Sequence, residues 1–210
     1  LVEPVSLDEA YLDLSPAVRL VDRPAAVLLA RLARAVERRV GITVSVGLSC
    51  NKFLAKMASD LDKPRGFAVI GDGEAASFLA PRPVTAIHGI GPATAARLAE
   101  MGVTTVAQLQ AMSEADLTAR FGKWGRDLAG LVRGIDPRPV TPDRPARSVS
   151  NETTFRRDVA DPIRLAAMLE PLAAKVAARL DQAGLAGVTV VLKLKTTDFT
   201  VITRSHRLPE

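Results

Sequence analysis

With 210 residues and 48% hydrophobic content, the chain is long enough to bury a core in one large or two small domains. Its 28 Lys and Arg against 23 Asp and Glu leave a formal net charge of +5, an excess that favours polyanionic partners. Cys50 is the sole cysteine, which excludes an internal disulfide and argues against a Cys-based zinc site; no apolar run approaches the roughly 18 residues that span a bilayer.

Near the start, the stretch Ser6-Leu7-Asp8-Glu9-Ala10-Tyr11-Leu12-Asp13 places two adjacent carboxylates in a short apolar segment. On a regular strand, neighbours face opposite sides of the sheet, so Asp8 and Glu9 serve one site only at a strand end or in a turn. Hard oxygen ligands so placed suit Mg²⁺, which takes one or two carboxylates together with substrate phosphates. Taken alone, the pair also describes an exposed strand end carrying two acids. Asp22 and Pro24 then signal a helix start and Gly41 its end. Between them Leu28, Leu29, Leu32, Val36 and Val40 keep helical spacing. Ile42, Val44, Val46 and Leu48 alternate with polar or small residues, which predicts a strand with one buried face that pairs near the Asp8 segment.

Asn51 is placed to cap the next helix, with Phe53, Leu54, Met57, Ala58 and Leu61 facing inward and Lys52 and Lys56 outward. Pro64 turns Lys63 off the helix end, and the three lysines describe a basic edge that, unplaced, is a solvated face. A short apolar strand over 67–70 and the turn Gly71-Asp72-Gly73 close this unit. From Glu74 the pattern is helical. Residues 84–98 look like a helix-hairpin-helix, whose glycines permit a sharp turn and whose second helix presents unpaired amides to a DNA phosphate. Pro92 has no amide, which leaves Gly89, Ile90, Gly91 and Thr94 as the contacts. A tight helix-helix turn is the alternative. Gly102, Gly122 and Gly134 have the spacing of helix caps, Trp124 that of a packing residue, and Leu109, Leu117, Phe121, Leu128 and Leu131 supply a small core.

Residues 135–147 interleave Pro137, Pro139, Pro142 and Pro145 with Arg138, Arg144 and Arg147, the composition of an extended linker whose arginines follow a DNA backbone. A strand over 148–155, a helix over 161–182 that Pro171 kinks or breaks, and strands near 188–196 and 199–207 then predict a β-α-β-β order.

The Ser6–Asp13 stretch, Gly47-Leu48-Ser49-Cys50-Asn51-Lys52, Ala55-Lys56, Asp60, Lys63-Pro64-Arg65-Gly66 and Gly89-Ile90-Gly91 follow one another in an order that resembles the Y-family DNA polymerases, and within them the DinB-type branch. The resemblance covers nearly the whole chain. It implies an α/β plus α fold: a partial α+β palm over 1–72, a helical thumb with a helix-hairpin-helix over 73–134, a linker over 135–147 and a partial β-α-β-β little finger over 148–210. Family members carry an earlier palm strand with another metal-binding Asp, and a fingers region, which implies an internal fragment that is inactive alone. It further implies template-directed DNA synthesis past damaged bases with two Mg²⁺ ions. Asp8 and Glu9 would be catalytic metal ligands, Lys63 and secondarily Lys56 would bind the dNTP triphosphate, and Arg147 and Ser148 would meet template phosphates alongside the hairpin. Primer-template DNA and dNTP are the implied partners, with a sliding clamp engaged through a segment outside this chain, in a cytoplasmic, nucleoid-associated setting and away from any membrane. Two rival readings are a non-catalytic DNA-binding scaffold of the same fold, whose signature would be loss of Asp8 and Glu9, and a helix-hairpin-helix nuclease or glycosylase, whose own catalytic cluster is not found between Gly102 and Gly134.

Overall fold

The computed structural model describes residues 1–143 and 145–208. The chain forms two compact units, one over 1–143 and one over 144–210.

The first unit opens with a hairpin in which β1 (Val2–Pro4) and β2 (Ala10–Leu12) run antiparallel with Glu3 opposite Tyr11. Helix α1 (Ser15–Val21) follows and ends at Asp22 in a left-handed conformation. Asp22 therefore closes α1, and Pro24 is the N-terminal flank of α2 (Ala25–Val40), which Gly41 terminates at φ +78°. Of the apolar stripe predicted on α2, Leu29 is buried whereas Leu32 and Val40 are exposed. The sheet beside this helix is only two short strands, too small to cover the whole stripe.

That sheet corrects a second expectation. The strand predicted over 42–48 contracts to β3 (Val46–Leu48), and it pairs in parallel with β4 (Phe67–Val69), not with the Asp8 segment. Alternation reveals which face of a strand is buried but not its partner. Parallel strands need a crossover, and α3 (Lys52–Leu61) supplies it. Gly47 lets that helix lie close on the sheet: a Cβ there would stand 2.0 Å from the Ala55 carbonyl oxygen, well inside van der Waals contact. Phe53, Leu54 and Ala58 are buried as predicted, but Leu61 at the helix end is exposed.

Short helices fill the rest of the unit: α4 (Ala75–Leu79), a 3-10 turn (Val84–Ala86), α5 (Pro92–Glu100), α6 (Val106–Ala111), α7 (Glu114–Phe121) and α8 (Lys123–Leu131). The first arm of the predicted helix-hairpin-helix is thus a 3-10 turn. One apolar cluster runs without a break from Phe53 and Leu54 on α3 through Ile70 and Leu79 to Leu98, Leu109, Leu117, Leu128 and Val132.

The second unit holds α9 (Pro162–Ala183) and an antiparallel hairpin of β5 (Thr189–Lys195) and β6 (Val201–Arg207). The Asp161 side chain caps α9 by accepting from the Ile163 amide, and Gly184 ends it in the left-handed region. The break expected at Pro171 does not occur: helix α9 runs uninterrupted from Pro162 to Ala183 with Pro171 inside it. No strand forms over 148–155 among the described residues; a strand is defined by its ladder, and this stretch pairs with neither β5 nor β6, so the order is α-β-β. No helix among the described residues is long and apolar enough to cross a membrane.

Candidate active site and nucleic-acid interface

The β1–β2 connection puts Asp8 in the turn and Glu9 immediately before β2. This is the arrangement that lets two adjacent side chains serve one site. The turn is closed by the Val5 and Ser6 amides, which donate to the Glu9 carbonyl at 2.9 and 3.3 Å. Ser6 Oγ donates to Asp8 Oδ1 at 2.6 Å and accepts from the Asp8 amide at 3.4 Å. The Ser6 hydroxyl, then the local backbone, hold the Asp8 carboxyl below its usual range, and the charges of Lys56 and Lys63 add to this. Asp8 is therefore an ionised, exposed carboxylate.

Helix α3 faces this hairpin with two lysines one turn apart. Lys56 Nζ lies 2.7 Å from Glu9 Oε1 and 3.9 Å from Asp60 Oδ1. Lys52, expected on an outward face, is 5% exposed and pairs at 2.9 Å with Glu3, itself 1% exposed. Glu3 also accepts from the Thr141 amide at 2.8 Å, and the Lys52 ammonium stands 5.4 Å from the centre of the Tyr11 ring. The shared face of Lys52 and Lys56 thus points to the hairpin. No signal in the sequence marks Glu3, which reads there as an ordinary strand residue.

The start of α3 is fixed from a distance. Asn51 accepts from the Leu54 amide at 3.0 Å and donates to the Gly134 carbonyl at 2.8 Å. The Phe53 amide donates to Asp136 Oδ2 at 3.1 Å, and Arg138 grips both Asp136 oxygens at 2.6 and 2.7 Å. Burial alone would raise the Asp136 pKa, but the Arg138 and Phe53 hydrogen bonds outweigh it and hold the carboxyl below its usual range. The first part of the predicted linker is therefore strapped to the hairpin and α3. Arg138 is engaged with Asp136, Arg144 lies outside the described residues, and Arg147 and Ser148 are exposed in the second unit.

Beyond α3, Lys63 is half-exposed with its Nζ 2.6 Å from Asp60 Oδ1. Asp8, Glu9, Lys56 and Lys63 thereby share one charge field: the Glu9 hydrogen bond raises the Lys56 pKa, with Asp60 contributing. Among the described residues no group of three or more His, Cys, Asp or Glu side chains is placed to hold a metal. Two hard carboxylates at an exposed tip nonetheless fit a cation that takes one or two protein oxygens and completes its shell from water and phosphate.

The second predicted site is the turn before α5. Gly89 adopts φ +104°, a region that favours glycine, and the Trp124 indole lies beneath it, 3.7 Å from where a Cβ would stand. Ile87 and Ile90 are buried on either side. The Ile90 amide donates to the Ile87 carbonyl at 3.0 Å, so Ile90 anchors the turn and does not offer the amide expected of it. Gly91 at φ −81° is extended, with open space around it. Pro92 starts α5, whose first-turn amides, that of Thr94 among them, have no intrahelical partner.

Residues 1–60 match the impB/mucB/samB family, residues 146–210 the C-terminal domain of that family, and residues 85–136 the DNA polymerase-iota thumb domain. The chain is 55% identical over 208 residues to DNA polymerase IV 1 of Mesorhizobium japonicum, covering 99% of this chain and 48% of that protein. It is 51% identical to DNA polymerase IV of Brucella melitensis and 49% identical to that of Caulobacter vibrioides, covering 47% and 52% of those proteins and 99% of this chain each time. The chain spans about half the length of the curated relatives it matches. Among solved structures, a Y-family DNA polymerase chimera superposes with a TM-score of 0.81 at 24% identity, covering the whole of this chain and 60% of that one. DinB from Sulfolobus solfataricus superposes with a TM-score of 0.61 at 23% identity over the same shares. These two likenesses concern the fold.

Proposed function

Since this chain belongs to the Y-family of DNA polymerases, in its DNA polymerase IV branch, we propose that it serves template-directed DNA synthesis, including synthesis past damaged bases, by adding dNTP units to a primer 3′ hydroxyl. Residues 1–72 act as the end of the palm, 73–134 as the thumb, 135–147 as the connection and 148–210 as part of the little finger. The observation that supports this most is the convergence of Asp8, Glu9, Lys56 and Lys63 on one edge of α3 and the β1–β2 turn.

Asp8 and Glu9 would hold Mg²⁺. The ions, when bound, would supply Lewis-acid stabilisation of the charge that builds up on the attacking and leaving oxygens. The chain's own groups position and neutralise. Ser6 keeps Asp8 ionised and aimed. The buried Glu3–Lys52 pair fixes the hairpin on α3, and Lys63 offers a point charge to a triphosphate. The turn at Gly89 and the first amides of α5 hold a phosphate of the duplex, a contact that positions DNA without reading its sequence. Arg147 and Ser148 add contacts to template phosphates.

The test uses the complete protein in cytoplasm-like buffer with primer-template DNA, all four dNTPs and Mg²⁺. Asp8→Ala should reduce single-nucleotide addition on the order of a thousandfold, the scale of several kcal/mol of transition-state stabilisation, while leaving DNA affinity within about twofold, since the turn and not the carboxylate grips the duplex. Extension at the wild-type rate by Asp8→Ala would sink the assignment.

A further inference from the structure

One charged group in this cluster is left without a role by the chemistry above, the carboxylate of Asp60. It sits on the last turn of α3, with Lys63 Nζ at 2.6 Å and Lys56 Nζ at 3.9 Å. Lys56 keeps its nearer contact, 2.7 Å, with Glu9. The order Glu9, Lys56, Asp60, Lys63 alternates in sign, and each interior group is shared by two neighbours. At one end stands a carboxylate assigned to a cation, at the other an ammonium assigned to a polyphosphate.

Resting on those two assignments, we infer that Asp60 is a counter-charge that holds Lys63 in reserve, and that Lys56 couples its release to the state of Glu9. The physical argument is one of competition. While Glu9 is a free anion, Lys56 is drawn to it, and Asp60 is left to Lys63. When a cation neutralises Glu9, Asp60 becomes the nearest carboxylate to Lys56. These two residues are one helical turn apart, a spacing at which lysine and aspartate meet readily. Asp60 then divides its attraction, and Lys63 is released towards an anionic ligand. All four side chains are at least partly solvent-exposed. Pairs of that kind are weak, so the exchange is graded: Asp60 lowers the affinity of Lys63 for free polyphosphate without blocking it. The consequence is cooperativity between the cation and anion ends through protein groups, in addition to any direct contact between cation and phosphate. The site thereby favours a polyphosphate that arrives after, or together with, its cation.

The test needs no catalysis and no metal. Binding of inorganic tripolyphosphate to the full 210-residue chain is followed by NMR titration in the presence of a chelator, for wild type, Glu9→Gln, Asp60→Asn, the double variant, and each of these with Lys63→Ala. Circular dichroism checks folding; the substitutions are at exposed positions. Glu9→Gln stands for the neutralised carboxylate and Asp60→Asn for the removed counter-charge. Each single variant should bind about two- to fivefold more tightly, the range set by exposed ion pairs. The double variant should gain no more than the better single one, because both changes release the same lysine, and a double-mutant cycle reads this directly. Lys63→Ala should erase the gains. Fully additive gains would mean a simple change of field and would overturn the coupling. Unchanged or weaker binding by Asp60→Asn would overturn the role of Asp60. Gains that survive Lys63→Ala would instead remove Lys63 from the anion site and take the inference down with the functional reading beneath it.

Discussion

At the scale of single residues, the most perturbed exposed acid belongs to the second unit, at the tip of the β5–β6 hairpin. Asp198 accepts from the hydroxyls of Thr196 and Thr200 and from the Thr200 amide. The Thr196 and Thr200 hydroxyls, in that order, bring its pKa down to about 2. An Asp in an unfolded chain titrates near 3.9, so the folded state binds its proton less readily than the unfolded one. The resulting stabilisation is complete above about pH 4 and is lost as pH falls through about 2. Carboxyl-carbon NMR should place the Asp198 midpoint near 2 in the wild type and closer to 4 in Thr196→Val; an ordinary midpoint in the wild type would discard the hydroxyl account. The Asx-type turn itself is local chemistry and could be read from Thr196-Thr197-Asp198-Phe199-Thr200. The partners of Glu3 are not readable in this way, because Lys52 and Thr141 stand 49 and 138 positions away along the chain.

At the scale of elements, α3 shows what periodicity transmits and what it leaves out. Helical spacing located the helix, its Asn51 cap and the buried faces of Phe53, Leu54 and Ala58, and it placed Lys52 and Lys56 on one side. It did not say what that side meets. A lysine reads as solvent-facing by default, and only the arrival of the hairpin turns one of two equivalent-looking lysines into a buried ion pair. The same limit applies to Asp136: amid prolines and arginines it reads as linker, yet it binds the first turn of α3. The strand expected over 148–155 failed for the complementary reason, since its partner is not encoded in its own residues. The Glu3–Lys52 pair offers a test at this scale. A buried pair contributes little net stability, but removing one partner strands the other charge. Lys52→Met should lower unfolding free energy by about 3 to 5 kcal/mol in urea titrations, whereas Glu3→Leu combined with Lys52→Met should recover most of it. Equal losses for single and double variants would show that packing, not an orphaned charge, sets the cost.

At the scale of the whole molecule, the excess of basic over acidic residues, +5 in formal charge, supplies a general attraction to nucleic acid that any basic protein shares. A specific grip must come from geometry, and the turn at Gly89 and Gly91 separates the two contributions because its glycines are used differently. Gly89 requires a positive φ and rests on Trp124. Gly89→Ala should therefore cost about 1 to 2 kcal/mol of stability through left-handed strain and weaken DNA binding by disordering the turn. Gly91 is extended with open space around it, so Gly91→Ala should leave stability within about 0.5 kcal/mol. If the turn holds a phosphate as proposed, the added methyl group would stand in the path of that phosphate to the first amides of α5, and binding should fall severalfold. Both losses should be the same for DNAs of different sequence, because a backbone contact carries no base information. Wild-type affinity should decline linearly on a log-log plot against salt, as counterion release demands. Fluorescence anisotropy with labelled duplexes across a salt series measures all of this. If Gly91→Ala, verified as folded, binds as the wild type does at every salt concentration, the charge excess alone accounts for the affinity and the turn is only a connection between helices.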